Sequence, residues 1–159
     1  MEDDSVESDG FIGRYNLRAD DKGRVIVPAS FREIFKKSYG PKIYITCAVR
    51  DRCLQIFPDA QWRDLMAKVK EMPKSKESVK FFIRKVVSSA FECEIDKQGR
   101  LLVPPALRED AGISLNGEIL IAGATDRLEV WDRNLWAEKY RDIDDSVVAG
   151  YEQELADWI

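Results

Sequence analysis

No histidine occurs in the 159 residues of this chain. That removes the usual general base near neutral pH, every Ser-His or Cys-His nucleophile and most zinc enzymes. Carboxylate, lysine and magnesium chemistry survive the exclusion. Cysteine is nearly as scarce. Cys47, Cys53 and Cys93 form no Cys-x-x-Cys pair, which argues against a disulfide scaffold or a thiolate zinc site and fits a reducing cytosol. No apolar run approaches the length of a membrane span, and Met1 to Asp9 is acidic and polar, unlike a signal peptide. What remains is 45% apolar and 10% aromatic, enough for a core, so wholesale disorder is excluded. The length suits one ordinary domain or two small ones.

The formal net charge of −4 hides an uneven distribution. Residues 1–9 sum to −5 and residues 138–159 to −5, whereas residues 14–37 sum to +4 and residues 63–85 to +5. Acidic ends thus flank basic stretches. Nucleic acid stays in play, because binding follows the local field rather than the total. For residues 63–85 the simpler account is a solvated helix surface.

The chain is a duplication. Asp20 to Glu33 reads D-D-K-G-R-V-I-V-P-A-S-F-R-E, and Asp96 to Glu109 reads D-K-Q-G-R-L-L-V-P-P-A-L-R-E. At an offset of 76, 7 of the 14 positions are identical, where average composition yields about one. Ile43-Tyr44-Ile45 then matches Ile119-Leu120-Ile121. At an offset of 74, Leu54, Ile56, Phe57 and Trp62 match Leu128, Val130, Trp131 and Trp136. The halves are residues 11–65 and 90–140. A charged helical insert, 66–89, lies between them. An acidic N-terminal extension, 1–10, is expected to be flexible, and an acidic helix or tail, 141–159, follows.

Each copy predicts the same elements. A short strand leads into Asp-x-x-Gly-Arg, where Gly23 and Gly99 suit a turn needing positive φ. A short apolar strand follows, Val25–Val27 or Leu101–Val103. Pro28 and Pro104 stand where a helix begins, and Gly112 stops the second of these helices. Hairpins are expected over Lys42–Val49 with Leu54–Phe57 and over Glu118–Ala124 with Leu128–Trp131. Longer helices start near Pro58-Asp59 and Asp132; one stripe joins Trp62, Leu65, Met66 and Val69, and another runs from Leu135 and Trp136 through Tyr140 and Ile143 to Val147. Val79, Phe82, Ile83, Val86 and Val87 make the insert helix, and Tyr151, Leu155 and Trp158 a weaker last turn. About 50 residues bury too little core alone, so two pseudo-twofold halves closing one barrel are favoured over two separate lobes.

The repeated polar pairs are Asp20…Arg24 and Asp96…Arg100. Arginine suits bidentate contact with guanine or phosphate, and a carboxylate four residues earlier can hold its guanidinium in one pose. Lys22 adds phosphate attraction where the second turn has Gln98. A purely structural pair pinning each turn stands on equal terms with this. Arg32 and Arg108, beside Glu33 and Glu109, read as fold-supporting ion pairs. Ser30 has Ala106 as its repeat partner and no base to activate it. Asp20-Asp21 and Asp144-Asp145 have no metal-ligand context. Trp62, Trp131 and Trp136 read as core, and Cys47 and Cys53 as small apolar hairpin residues. No acid, base and nucleophile converge, so neither an enzyme nor a cofactor is expected.

These motifs resemble the MraZ family of bacterial transcription regulators, which carry two tandem AbrB-like (SpoVT-AbrB type) halves. Each half has an Asp-x-x-x-Arg signature within Asp-x-x-Gly-Arg-φ-x-φ-Pro-x-x-φ-Arg, where φ is an apolar residue, and both are present here. Phe11-x-Gly13, Leu54-x-x-x-Pro58-x-x-x-Trp62, Leu128-Glu-Val-Trp-Asp132-x-x-x-Trp136 and Arg108-Glu-Asp-Ala-Gly112-Ile are similar to family motifs. The match covers residue 11 to about 145. The resemblance implies an α+β fold built on a swapped-hairpin AbrB-like β-barrel closed within one chain. It implies a cytoplasmic, nucleoid-associated protein that forms a homo-oligomeric ring. Such a protein binds short G-rich direct repeats of double-stranded DNA in its own promoter and regulates the division and cell-wall gene cluster. Asp20, Lys22, Arg24, Asp96 and Arg100 then take the DNA-binding role; no membrane or small-molecule partner is implied. Trp62, Trp136 and the insert helix are candidates for subunit contacts. The acidic stretch before Phe11 departs from the family pattern. So does Asp21, a negative charge beside the reading turn. The rival reading is an AbrB-fold protein-interaction module of antitoxin type, with the acidic C-terminal tail as its partner-binding segment.

Overall fold

The computed structural model describes residues 10–158; the acidic extension expected at residues 1–10 lies, apart from Gly10, outside the described residues. The first copy supplies β1 (Arg14–Arg18), β2 (Arg24–Ile26), α1 (Ala29–Ile34), β3 (Lys42–Cys47) and β4 (Leu54–Pro58). Helices α2 (Asp59–Glu71) and α3 (Glu77–Phe82) follow. The second copy repeats the order as β5 (Phe91–Glu94), β6 (Arg100–Leu102), α4 (Pro105–Ala111), β7 (Glu118–Gly123) and β8 (Leu128–Asp132), and ends in α5 (Arg133–Arg141) and α6 (Asp145–Glu154). Helices α1 and α3 widen at their ends into i→i+5 turns, Phe35–Tyr39 and Ile83–Val87.

Local chemistry sets these boundaries. Pro28 and Pro104 cap α1 and α4, and Gly112 ends α4 in the left-handed region at φ 69°. Asp132 caps α5 by accepting the Leu135 N–H at 3.0 Å. The stripe expected to run unbroken from Leu135 to Val147 does not do so. Helix α5 stops at Arg141, and Asp144 opens α6 by accepting the Ser146 N–H at 2.9 Å. An aspartate that bonds a backbone N–H two residues on favours a new N-cap over continuation of the helix.

The strands form a six-stranded antiparallel sheet in the order β1-β7-β8-β4-β3-β5, and a separate two-stranded ribbon, β2-β6. Each copy gives its first strand to the other copy's hairpin: β1 pairs with β7, and β5 with β3. The order is unchanged when the halves are exchanged. At the sheet centre Gln55 faces Glu129, its own repeat counterpart, and in the ribbon Val25 faces Leu101 likewise. A pseudo-twofold axis therefore runs through both places. The expected closed barrel does not form. Among the described residues β1 and β5 are the edges of an open sheet, and the three-residue strands β2 and β6 pair with each other rather than with it.

The main core lies between one face of the sheet and the ribbon with α1 and α4. Ile43, Ile45, Leu54, Ile56, Ile119, Ile121, Leu128 and Val130 line it from the sheet; Val25, Val27, Leu101, Val103, Phe31 and Leu107 close it. The other face is covered too. Over the first hairpin Phe57, Trp62 and Val86 cluster with Tyr44 and Phe82; over the second Leu120, Ala122 and Trp131 cluster with Leu135 and Trp136. Burial on both faces explains why these hairpins read as nearly continuous apolar runs. The insert is moored by one buried polar group. The Thr46 hydroxyl donates to the Val86 carbonyl at 2.6 Å, whereas its repeat counterpart, where no insert follows, is Ala122. Trp62 is buried and stacks on Tyr44 at 5.2 Å, so it is spent inside the chain rather than offered to another subunit. Phe11 is also fully buried, edge-on to Phe31 at 5.8 Å, and bridges to Thr125 outside β1.

Phe31 packs against both Phe11 and Tyr15. Phe31→Ala is expected to cost about 3–5 kcal/mol, read as a lowered urea midpoint with an unchanged slope.

Candidate nucleic-acid interface

The repeated Asp-x-x-Gly-Arg segments fold into two nearly identical clasps. In the first, Asp20 Oδ1 accepts the backbone N–H of Lys22 at 2.9 Å and of Arg24 at 2.8 Å, while Oδ2 accepts Arg24 Nε–H at 2.6 Å. In the second, Asp96 Oδ1 accepts the N–H of Gln98 at 2.9 Å and of Arg100 at 2.8 Å, and Oδ2 accepts Arg100 Nε–H at 3.0 Å. The backbone closes the same loop, with Gly23 N–H on the Asp20 carbonyl and Gly99 N–H on that of Asp96. Gly23 and Gly99 stand at φ +83° and +80°, conformations closed to most side chains. Partial burial pushes the Asp20 carboxyl up. The N–H groups of Arg24 and Lys22 and the Arg24 guanidinium outweigh it and bring the carboxyl down to about 2. The Arg100 backbone N–H leads the same lowering at Asp96. Both carboxylates are charged at neutral pH.

Each clasp uses only Nε of its arginine. Among the described residues, the Nη atoms of Arg24 and Arg100 and the Lys22 ammonium have no partner. Each guanidinium is thus held at one nitrogen, and its two Nη groups keep the fork that bidentate acceptors require.

Ribbon pairing brings the two clasps together. Arg24 lies opposite Leu102, and Arg100 opposite Ile26. Val25 and Leu101 point into the core, so strand alternation places Arg24, Ile26, Arg100 and Leu102 on the outer face. All five residues picked out in the sequence, Asp20, Lys22, Arg24, Asp96 and Arg100, sit on the ribbon or in the turns leading into it. Sequence reasoning missed Ile26 and Leu102, although the alternation in Arg-Val-Ile-Val and Arg-Leu-Leu-Val already places residues 24 and 26 on one side.

Arg32 and Arg108 do not form the ion pairs expected with Glu33 and Glu109. Each guanidinium lies across the opposite copy's glycine instead: a Cβ on Gly23 would stand 2.5 Å from Arg108 Nε, and one on Gly99 2.7 Å from Arg32 Nη1. Arg108 donates to the Val103 carbonyl at 3.1 Å, and Arg32 likewise to Val27. Val27 N–H donates to the Gly99 carbonyl at 2.8 Å, and Val103 N–H to that of Gly23 at 3.0 Å. Each turn is thus locked by the other half. The cause is the missing side chain: glycine leaves a flat backbone on which the planar guanidinium rests.

The other polar candidates are occupied elsewhere. Ser30 Oγ bonds Tyr15 at 2.8 Å, and Asp144 caps α6. Burial raises the Cys47 and Cys53 thiols and pushes Cys93 up to about 12, so none carries a thiolate at neutral pH. The basic stretch 63–85 is partly paired: Arg63 bridges Asp59 at 3.0 Å, Lys80 bridges Glu77 at 3.3 Å, and Lys74 caps the end of α2.

Two outcomes follow from the clasp. The folded Asp20 carboxyl titrates below its unfolded value, so its stabilisation is complete above about pH 4 and is lost as pH falls towards 2. Asp20→Asn is expected to show a shallower loss of stability than wild type across that interval, measured by urea melts at stepped pH. Gly99→Ala forces a side chain to φ +80° against Arg32 and is expected to cost about 1–3 kcal/mol in the same assay at pH 7.

A family model described as "MraZ protein, putative antitoxin-like" matches the chain twice, over residues 11–85 and 86–156. "Transcriptional regulator MraZ" of Moorella thermoacetica is 39% identical over 139 residues, covering 87% of this chain and 92% of that protein. The protein of the same name from Carboxydothermus hydrogenoformans is 40% identical over 126 residues, 79% of this chain and 83% of its own length. That of Desulfitobacterium hafniense strain Y51 is 37% identical over 142 residues, 89% of this chain and 94% of its own length. The solution structure of PHS018 from Pyrococcus horikoshii is similar at a TM-score of 0.34 and 16% identity, covering 72% of this chain and 91% of that one. The doubled Asp-x-x-Gly-Arg clasp and the two consecutive family matches agree in place and number, and the chain belongs to the MraZ family.

Proposed function

We propose that this protein is a sequence-specific DNA-binding transcriptional regulator. Its target is a set of short G-rich direct repeats in its own promoter, through which it controls the division and cell-wall gene cluster. What carries the reading is the pair of arginines on one ribbon face, each fixed through Nε with both Nη groups free to meet guanine O6 and N7. Lys22, whose ammonium has no partner among the described residues, holds phosphate. The relatives' name, transcriptional regulator, supports the regulatory role. The protein acts in the cytoplasm on the nucleoid; among the described residues no helix is long and apolar enough to cross a membrane. The interleaved strands support a swapped-hairpin, AbrB-like ancestry for residues 11–65 and 90–140.

One protomer contacts few bases. A homo-oligomeric ring repeats the contact along direct repeats, and avidity supplies specificity. Its subunit contacts fall to the insert 66–89, where Phe81 is exposed on α3, and to the C-terminal segment 141–159. The two turns are unequal, with Asp21-Lys22 in one and Lys97-Gln98 in the other. That inequality suits direct repeats, which have a direction, better than palindromes.

An interaction module of antitoxin type is the second reading. It is supported by the wording of the family description and by the exposed Val147, Val148, Tyr151, Leu155 and Trp158 of the C-terminal helices. Fluorescence anisotropy against the DNA upstream of the reading frame separates the two. Wild type is expected to bind with an affinity that falls as salt rises, and Arg24→Ala/Arg100→Ala to lose at least 100-fold, on the order of two bidentate contacts. Absence of wild-type binding to DNA from any part of the gene cluster would favour the antitoxin-type reading.

A further inference from the structure

Two aliphatic side chains share the outer ribbon face with the arginines. Ile26 is 42% exposed and Leu102 is 56% exposed. Single exposed aliphatics are ordinary. These two occupy the same place in both copies, two residues after the clasped arginine, and each lies directly opposite the other copy's arginine. The face is therefore a four-cornered patch, with Arg24 and Arg100 on one diagonal and Ile26 and Leu102 on the other.

Its dimensions are those of a few base pairs. Two residues along a strand advance about 6.7 Å, and two base steps along a DNA strand about 6.8 Å. Opposed side chains start about 5 Å apart, within a B-form major groove about 12 Å wide that admits a two-stranded ribbon. The A-form major groove of RNA is too narrow for this. An arginine that reaches guanine there puts its aliphatic neighbours against adjoining base edges. On that wall the apolar group is the C5-methyl of thymine.

We infer that Ile26 and Leu102 are specificity-determining residues that read thymine C5-methyl groups beside the guanines contacted by Arg24 and Arg100. The inference rests on the DNA-binding reading and adds a second chemical class of contact to it. It makes the recognised sequence a mixture of G and T rather than a run of G, with the thymines within about two steps of a guanine.

Replacing thymine by deoxyuridine removes the methyl and keeps every hydrogen bond, so the decisive arm uses unaltered protein. Anisotropy titrations would compare the natural upstream duplex with one carrying deoxyuridine throughout the G-rich repeats and one carrying it only outside them. Each lost methyl contact is expected to weaken wild type about fourfold, the equivalent of about 0.8 kcal/mol, with no change for deoxyuridine outside the repeats. Ile26→Ala/Leu102→Ala is expected to bind the natural and the substituted repeats equally, at about the wild-type affinity for the substituted ones. Size-exclusion chromatography with light scattering would confirm an unchanged mass. Equal wild-type affinity for thymine and deoxyuridine repeats overturns the inference while leaving DNA binding in place. So does a double variant that keeps the thymine preference, or one whose assembly mass changes, which assigns the patch to a subunit contact. Wild type that binds none of the duplexes overturns the DNA-binding reading, and this inference with it.

Discussion

The pairing of β2 with β6 involves only three residues from each copy, yet the rest of the molecule depends on it. Val25 and Leu101 meet at its centre and roof the core. Backbone bonds from Val27 to Gly99 and from Val103 to Gly23 extend the contact into both turns. Arg32 and Arg108 then lie over those turns from the opposite half. Without this ribbon each copy would be a hairpin and a helix with too little buried surface to persist. With it, two weak units become one core and two turns become one surface.

The clasps convert that shared surface into a rigid one. An unrestrained arginine loses about 2 kcal/mol of rotamer freedom when it binds, and a ribbon presenting two would lose it twice. Asp20 and Asp96 withdraw part of that loss in advance by holding Nε, and the backbone N–H bonds to the same carboxylates fix the carboxylates in turn. The low pKa of Asp20 expresses the same economy. A carboxylate satisfied by two amides and a guanidinium has nothing to gain from a proton, so the clasp stays closed through the physiological range.

Much of this was legible in the residues, for identifiable reasons. Seven identities in 14 positions exposed the duplication. Glycine flanked by aspartate and arginine marked the turns, and Pro28, Pro104 and Gly112 marked the ends of the short helices. What stayed hidden was contact between copies. Nothing in Arg32-Glu33 says that the guanidinium prefers a bare glycine 67 positions away to the glutamate beside it; that choice needs the ribbon to exist first. Barrel closure is likewise not encoded in the strands taken one by one. Strand content and symmetry are compatible with an open or a closed sheet, and the pairing of β2 with β6 apart from the six-stranded sheet is what leaves this one open. At Asp142 two signals conflict: the apolar stripe favours one continuous helix, and Asp144, a good N-cap, favours the break that forms.

Fusing the two halves in one chain frees them to diverge, and the divergence is not uniform. The core partners stay apolar, and both clasps stay intact. The differences gather around the turns and over the outer sheet face. Asn116 N–H donates to the Asp20 carbonyl, whereas the aligned Gly40 sends its N–H to Phe35, so the first turn is tied down by one bond that the second lacks. Thr46 moors an insert for which Ala122 has no counterpart. Asp21-Lys22 faces outward in one turn and Lys97-Gln98 in the other. A symmetric homodimer of half-length chains could have none of these inequalities, because each change would appear twice. The duplicated chain keeps the twofold geometry that builds the ribbon while giving its two ends different chemistry. A surface of that kind has a direction, and a direction is what the proposed reading of non-palindromic repeats requires, since a twofold-symmetric surface would meet both orientations of such a sequence equally.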